Sequence, residues 1–192
     1  SHIDVGREKS LAAIDYAMEH DRFLIVSAQI DENEDEPGFD DVYQTGTLVK
    51  IQQLLRLPGG LVRVLVDGIS RVQMQGFSEK KDYLEVAAVK LDDISTDSKK
   101  EEALRRLIFK RASEWLETMR NNEEVLEKAR SIDTPGVLAD FVVSQLPLRL
   151  IIRQQILEMT ELMGRLHRVA ALLDTEVEIA NLESELNIEV RG

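Results

Sequence analysis

The feature that most constrains this chain is a change of hydrophobic period near residue 95. Before it, apolar residues mostly alternate with polar ones; after it, they recur at spacings of three and four. Alternation turns one face of a strand towards a core, and three-four spacing turns one stripe of a helix there. The fold class expected is therefore α+β. A β-rich lobe with one early helix spans residues 1–95, a helical bundle spans 96–160, and a long helix spans 161–192.

Within the first lobe, Leu11, Ile14, Ala17 and Met18 make one apolar stripe, which predicts a helix from about Val5 to His20. Phe23 to Ala28 is a short β-branched-rich run and reads as a buried strand. The carboxylate-rich stretch from Asp31 to Asp41, broken by Pro37-Gly38, reads as a solvated loop. Strands follow over Thr47–Leu57, Leu61–Val66, Ile69–Met74 and Tyr83–Leu91. Turns are expected at Pro58-Gly59-Gly60 and at Asp67-Gly68. Short strands joined this closely suggest a meander that closes into a sandwich or small barrel.

From Asp97 onward, Leu104, Leu107, Ile108, Trp115, Leu116 and Met119 share a helical face. Lys99, Lys100, Glu101, Glu102, Arg105 and Arg106 are assigned to the outer surface. Shorter helices are expected over Glu123–Arg130, from Pro135 with Thr134 as its cap, and over Leu150–Met159. The last helix, from about Glu161 to Leu186, carries Leu162, Leu166, Val169, Leu173, Val177 and Ala180 on one stripe.

Chemistry-bearing constellations are missing from the sequence. The three histidines, His2, His20 and His167, show no metal-ligand spacing, and there is no cysteine to act as nucleophile, thiolate ligand or disulfide partner. No phosphate-binding loop and no G-x-S-x-G elbow occurs. Asp31, Asn33, Asp35 and Glu36 faintly resemble a calcium loop, but the glycine falls at position eight rather than six, so a solvated loop is the reading. Trp115 is assigned to the core, and Lys80-Lys81 is too small a patch for nucleic acid. The net charge of −12, negative in both halves, disfavours a polyanionic partner. The sequence predicts no catalytic residue, no metal and no membrane span, and the start lacks the pattern of a secretory signal.

Several segments, in order, resemble the amino-terminal substrate-binding domain of bacterial-type ATP-dependent Lon proteases. Val5-Gly6-Arg7-Glu8-Lys9-Ser10 is similar to the family's V-G-R-x-x-S element, and Val42 to Ile51 to its G-T strand. The most specific match is Leu57-Pro58-Gly59-Gly60 through Arg71, which resembles L-P-[DN]-G-x-x-[KR]-V-L-V-E-G-x-x-R. Pro135 to Asp140, Leu146-Pro147-Leu148 and Arg153 to Glu158 resemble the helical lobe.

The resemblance implies a pseudo-barrel lobe, a helical bundle and a long helix leading towards an ATPase module. It implies capture of unfolded or degron-bearing proteins and support of a hexamer. A stand-alone Lon-type adaptor or ligand-binding module is the alternative. Both ends read as those of a fragment: the family's first strand precedes V-G-R, and ATP, Mg and the Ser-Lys protease site belong to a region past Gly192. The implied location is the bacterial cytoplasm rather than the mitochondrial matrix. For substrate we nominate Met74, Phe77 and Tyr83 on the sheet side, with Met119 and Phe141 on the helical side, because methionine and aromatic side chains adapt to varied sequences. For assembly we nominate Leu173, Val177 and Leu182 on the long helix.

Overall fold

The computed structural model describes residues 1–78 and 81–192, which form two compact units, Ser1–Asp92 and Asp93–Gly192. In the first, β1 (His2–Val5), α1 (Glu8–Glu19), β2 (Phe23–Val26), β3 (Thr45–Arg56), β4 (Val62–Ser78) and β5 (Glu85–Leu91) follow in chain order. All pairings are antiparallel, and the sheet runs β1-β4-β3-β2 with β5 also on β4. β4 is long enough to hold both: β1 pairs with Val62–Leu65 and β5 with Arg71–Ser78. Residues His2–Val5, which carry no strand signal in the pattern, thus form a paired strand.

The alternation in β3 and β4 delivers Val49, Ile51, Val62, Val64 and Val66 to one buried face. Ile14 and Ala17 of α1 close over them. The turn expected at Asp67-Gly68 does not form. Val49 faces Gly68 while Leu48 faces Ser70, so Ile69 is an extra residue in a bulge and the strand continues. A Leu57 N–H to Leu61 carbonyl bond of 2.8 Å closes the real turn at Pro58–Gly60, where Gly59 and Gly60 have φ of 82° and 80°. No other residue type adopts that backbone as freely.

The second unit is helical: α2 (Ser98–Glu117), α3 (Glu123–Arg130), α4 (Pro135–Gln145), α5 (Leu150–Glu158) and α6 (Leu162–Arg191). Ile108, Trp115, Leu138, Leu146, Ile156, Leu166, Val169 and Leu173 are buried together. Two residues placed on the apolar face of α2, Leu107 and Met119, are exposed.

Two polar residues anchor the start of this unit. Glu101, assigned above to the outer surface, is only 4% exposed. Its carboxylate accepts from Ser95 Oγ at 2.7 and 2.8 Å and from the backbone N–H groups of Thr96 and Asp97 at 2.9 and 3.2 Å. It thereby fills the donors at the head of α2, where Asp97 also caps by accepting from Lys100 N at 3.1 Å. The Ser95 hydroxyl, then the two backbone donors, hold the Glu101 carboxyl below its ordinary range. Arg165 is fully buried, and its guanidinium forks onto Asp93 with bonds of 2.8 and 2.7 Å. Thr134 precedes α4 as expected, but its side chain makes no capping bond.

Candidate substrate-binding surfaces

On the first unit, the loop between β2 and β3 is held in place rather than left free. Ile30 N–H donates to the Asp41 carbonyl and Tyr43 N–H to the Ala28 carbonyl, both at 2.9 Å. Arg7, from the V-G-R element, donates to Gln29 Oε1 at 2.5 Å and to the Glu34 carbonyl at 3.1 Å. Asp31 Oδ1 accepts from Asn33 N–H, Glu34 Oε1 from Glu36 N–H and Asp41 Oδ2 from Gly38 N–H. The carboxylates thus serve turns of the loop itself. Among the described residues, no group of three or more His, Cys, Asp or Glu is arranged to hold a metal ion.

This fixed loop carries Phe39 to the sheet, where its ring stacks on Phe77 with centroids 4.8 Å apart and 17° between planes. Phe77 follows a bulge in β4 between Met74 and Gly76 and is 44% exposed. The stack thus joins a half-buried Phe39, from the acidic segment 31–41, to an exposed Phe77.

A second aromatic group lies on α1 and the segment before β5. His20 stacks on Tyr16, one helical turn earlier, with centroids 3.8 Å apart. Tyr16 lies 5.1 Å from Tyr83, and Lys81 Nζ stands over both tyrosine rings at 5.2 and 5.6 Å. Lys81 also donates to Glu85 Oε2 at 2.9 Å, and that bond is the main cause holding its amine above the usual lysine range. Lys80, its neighbour in the sequence, lies outside the described residues.

The nominated residues are placed unevenly. Met74 is 5% exposed and packs inside the sheet, Tyr83 is half-buried, and Phe77 is open. In the second unit, Met119 is 45% exposed past the end of α2. Phe141 lines a crevice with Trp115, Val125 and Gln145, and Lys128 Nζ stands 5.3 Å from its ring. Leu173 is fully buried and Val177 packs on the same core, whereas Leu182 is 50% exposed, so the three do not share a face. Sequence reasoning missed Phe39, Tyr16, His20 and Arg7 as parts of these surfaces. The signal was present for Phe39, a lone aromatic residue inside an acidic loop. Tyr16 and His20 also announce a pair by their spacing of four.

The fold places the chain among mixed proteins in which a five-stranded antiparallel sheet precedes a helical bundle drawn out into one long helix. It superimposes on the amino-terminal domain of the Mycobacterium avium complex Lon protease with a TM-score of 0.70 at 19% identity, covering 91% of this chain and 90% of that one. A Lon amino-terminal domain protein from Xanthomonas campestris gives a TM-score of 0.57 at 16% identity over 89% and 88%. The family described as the ATP-dependent protease La (LON) substrate-binding domain matches residues 1–175, and the chain belongs to it. It is 36% identical to the Lon protease of Desulforamulus reducens and 34% identical to Lon protease 1 of Bacillus subtilis, over 191 residues each. Those alignments cover 99% of this chain but 24% and 25% of the relatives, so the chain spans about a quarter of their length. Among the described residues, no helix is long and apolar enough to cross a membrane.

Proposed function

We propose that this domain captures exposed aromatic and aliphatic segments of unfolded or degron-bearing polypeptides for an ATP-dependent protease. The observation that carries the reading is the Phe39–Phe77 stack, in which an exposed ring on β4 is backed by a half-buried ring from a loop fixed by hydrogen bonds. An exposed ring already held in place by its neighbour binds apolar side chains without first having to be ordered, and it imposes no polar pattern on the partner. The Tyr16–His20–Tyr83 group on the same unit offers a second such surface.

Each contact of this kind is weak, which suits a domain that must hold many sequences and release them. Multiplying the domain in an oligomer raises avidity without a tight single site. Cleavage and ATP hydrolysis with Mg are assigned to the other three quarters of a Lon-like protein, while support of the hexamer falls in part to this domain. Capture is this domain's other share.

The test is photo-crosslinking of an unfolded casein-like polypeptide, with crosslinks mapped by residue. Crosslinks gathered at Phe39, Phe77, Tyr16 and Tyr83, and lost on Phe77→Ser, are the expected result. Crosslinks spread evenly over the surface would sink the proposal.

A further inference from the structure

The segment that delivers Phe39 to Phe77 carries a charge that bears on which apolar sequences can settle there. Between Arg22 and Lys50 the chain holds seven carboxylates, all from Asp31 to Asp41, and no lysine, arginine or histidine. Hydrogen bonds keep these charges near the stack. The Ile30 N–H to Asp41 carbonyl bond of 2.9 Å closes a loop of ten residues, 31–40. At about 3.5 Å per residue, half such a loop reaches at most roughly 17 Å from its base. Gln29 Nε2 draws it in further by donating to the Asp31 and Glu34 carbonyls at 3.2 and 3.0 Å. Asp40 and Asp41 follow Phe39 within one short 3-10 helix, so two of the charges sit within two residues of the stacked ring.

These charges are also left uncancelled. Arg7 reaches the loop but donates to Gln29 Oε1 and to the Glu34 carbonyl. Asp31, Glu34 and Asp41 accept from backbone N–H groups, bonds that orient a carboxylate without cancelling its charge. Among the described residues, none of the seven is in an ion pair. Across the strand pair, β5 sets Val86 opposite Phe77 and Glu85 one position on, where Lys81 offsets the glutamate. An exposed ring next to uncancelled negative charge sorts its partners by both properties. The ring takes an aromatic or aliphatic side chain, and the loop attracts lysine or arginine a few residues away. Acidic flanks meet the same loop as repulsion.

We infer that the Phe77 platform selects apolar segments flanked by lysine or arginine and rejects those flanked by aspartate or glutamate. This selectivity rests on the capture proposed above and adds to it a chemical class of substrate. The Debye length is about 30 Å at 0.01 M salt, longer than the loop, and about 8 Å at 0.15 M. The whole loop therefore acts at low salt, and near physiological salt Asp40 and Asp41, next to the ring, carry most of the effect.

The experiment uses the whole 192-residue chain and labelled, unstructured peptides with one aromatic centre and flanks of lysine, glutamine or glutamate. Fluorescence anisotropy gives the affinity, and a photo-reactive group beside the aromatic centre gives the place. The lysine peptide is expected to bind about tenfold tighter than the glutamate peptide at 0.01 M salt, with glutamine between them and the gap narrowing by 0.15 M. Its crosslinks are expected on Phe77 and the loop. Among the described residues, the carboxylates of Glu32, Asp35, Glu36 and Asp40 take no part in the bonds that hold the loop. Glu32→Gln, Asp35→Asn, Glu36→Gln and Asp40→Asn together are expected to reduce the gap to about threefold or less. Glu178→Gln, Glu183→Gln, Glu185→Gln and Glu189→Gln, all exposed on α6, change the net charge equally and are expected to leave the gap at about tenfold. Equal affinity for the three peptides, with crosslinks still at Phe77, overturns the selectivity and leaves capture standing. An equal fall in both fourfold variants also overturns it, since net charge rather than the loop would then be the cause. Binding of no peptide, or crosslinks away from Phe77 that Phe77→Ser does not weaken, removes the capture reading and the selectivity with it.

Discussion

Arg165 Nη2 lies 2.7 Å from Asp93 Oδ2, and this bond joins residues 72 positions apart at the base of the helical unit. The guanidinium is fully buried, also donates to the Met159 carbonyl at 2.9 Å, and has Asp140 Oδ1 at 3.4 Å from its Nε. Removing it leaves two carboxylates facing each other across an emptied site. Arg165→Leu is therefore expected to destabilise the helical unit by about 3–5 kcal/mol, the usual cost of breaking rather than replacing a buried pair. Trp115 is the single tryptophan and is buried in that unit, so its emission during urea unfolding reads the loss directly. An unchanged midpoint would show that the pair carries no stability.

Gly136 is where α4 passes closest to this pair. A Cβ there would stand 2.5 Å from Asp93 Oδ2, 2.6 Å from Arg165 Nη2 and 3.1 Å from Leu162 Cδ1. The family-like Pro135-Gly136 step thus has a packing reason, since any side chain pushes the fork off its carboxylate. Gly136→Ala is expected to lose about 1–3 kcal/mol despite the better helix propensity of alanine. Thermal unfolding of the single variant checks this, and a stabilised protein would show that propensity wins.

Glu101 makes the second unit sensitive to acid. Its carboxyl ionises below the ordinary 4.5 because the Ser95 hydroxyl and two backbone N–H groups favour the charged form. A depressed folded-state value means stability that is present above the unfolded value and lost as pH falls through the folded one. Glu101→Gln is therefore expected to lower the melting temperature near neutrality, and the gap from the unsubstituted protein should close as pH drops below about 4.5. A gap that is constant with pH would assign the effect to shape alone.

How much of this was legible depends on how far each residue's partners lie along the chain. The change of period near residue 95 exposed the β-then-α order because alternation and three-four spacing are local. The helices over Glu123–Arg130 and from Pro135 were readable for the same reason. The Asp67-Gly68 pair misled because a strong local turn signal lost to β3, which pairs along both halves of β4 and absorbs the glycine beside a bulge. Glu101 read as surface because its partners come from the loop before α2, which the helical wheel does not include. Arg165 gave no signal at all, its carboxylate partner being 72 residues away. Of the aromatic surface, Phe77 was visible as a candidate, whereas its stacking partner Phe39 needed the folded loop to bring it there.

The Pro58-Gly59-Gly60 turn allows the backbone to be tested apart from packing. Both glycines have φ near 80°, and a Cβ on either would meet nothing within 4 Å. Any cost of substitution therefore comes from the left-handed backbone alone, about 1–2 kcal/mol for most residues and less for asparagine, whose short polar side chain tolerates that region. Gly59→Ala is expected to destabilise the sheet unit by about 1 kcal/mol or more, and Gly59→Asn by distinctly less. The tyrosines Tyr16, Tyr43 and Tyr83 all belong to the sheet unit, so tyrosine emission in the Trp115→Phe background follows its unfolding. Equal losses for alanine and asparagine would show that the turn relaxes out of the left-handed region, and the glycines would then owe their place to something other than φ.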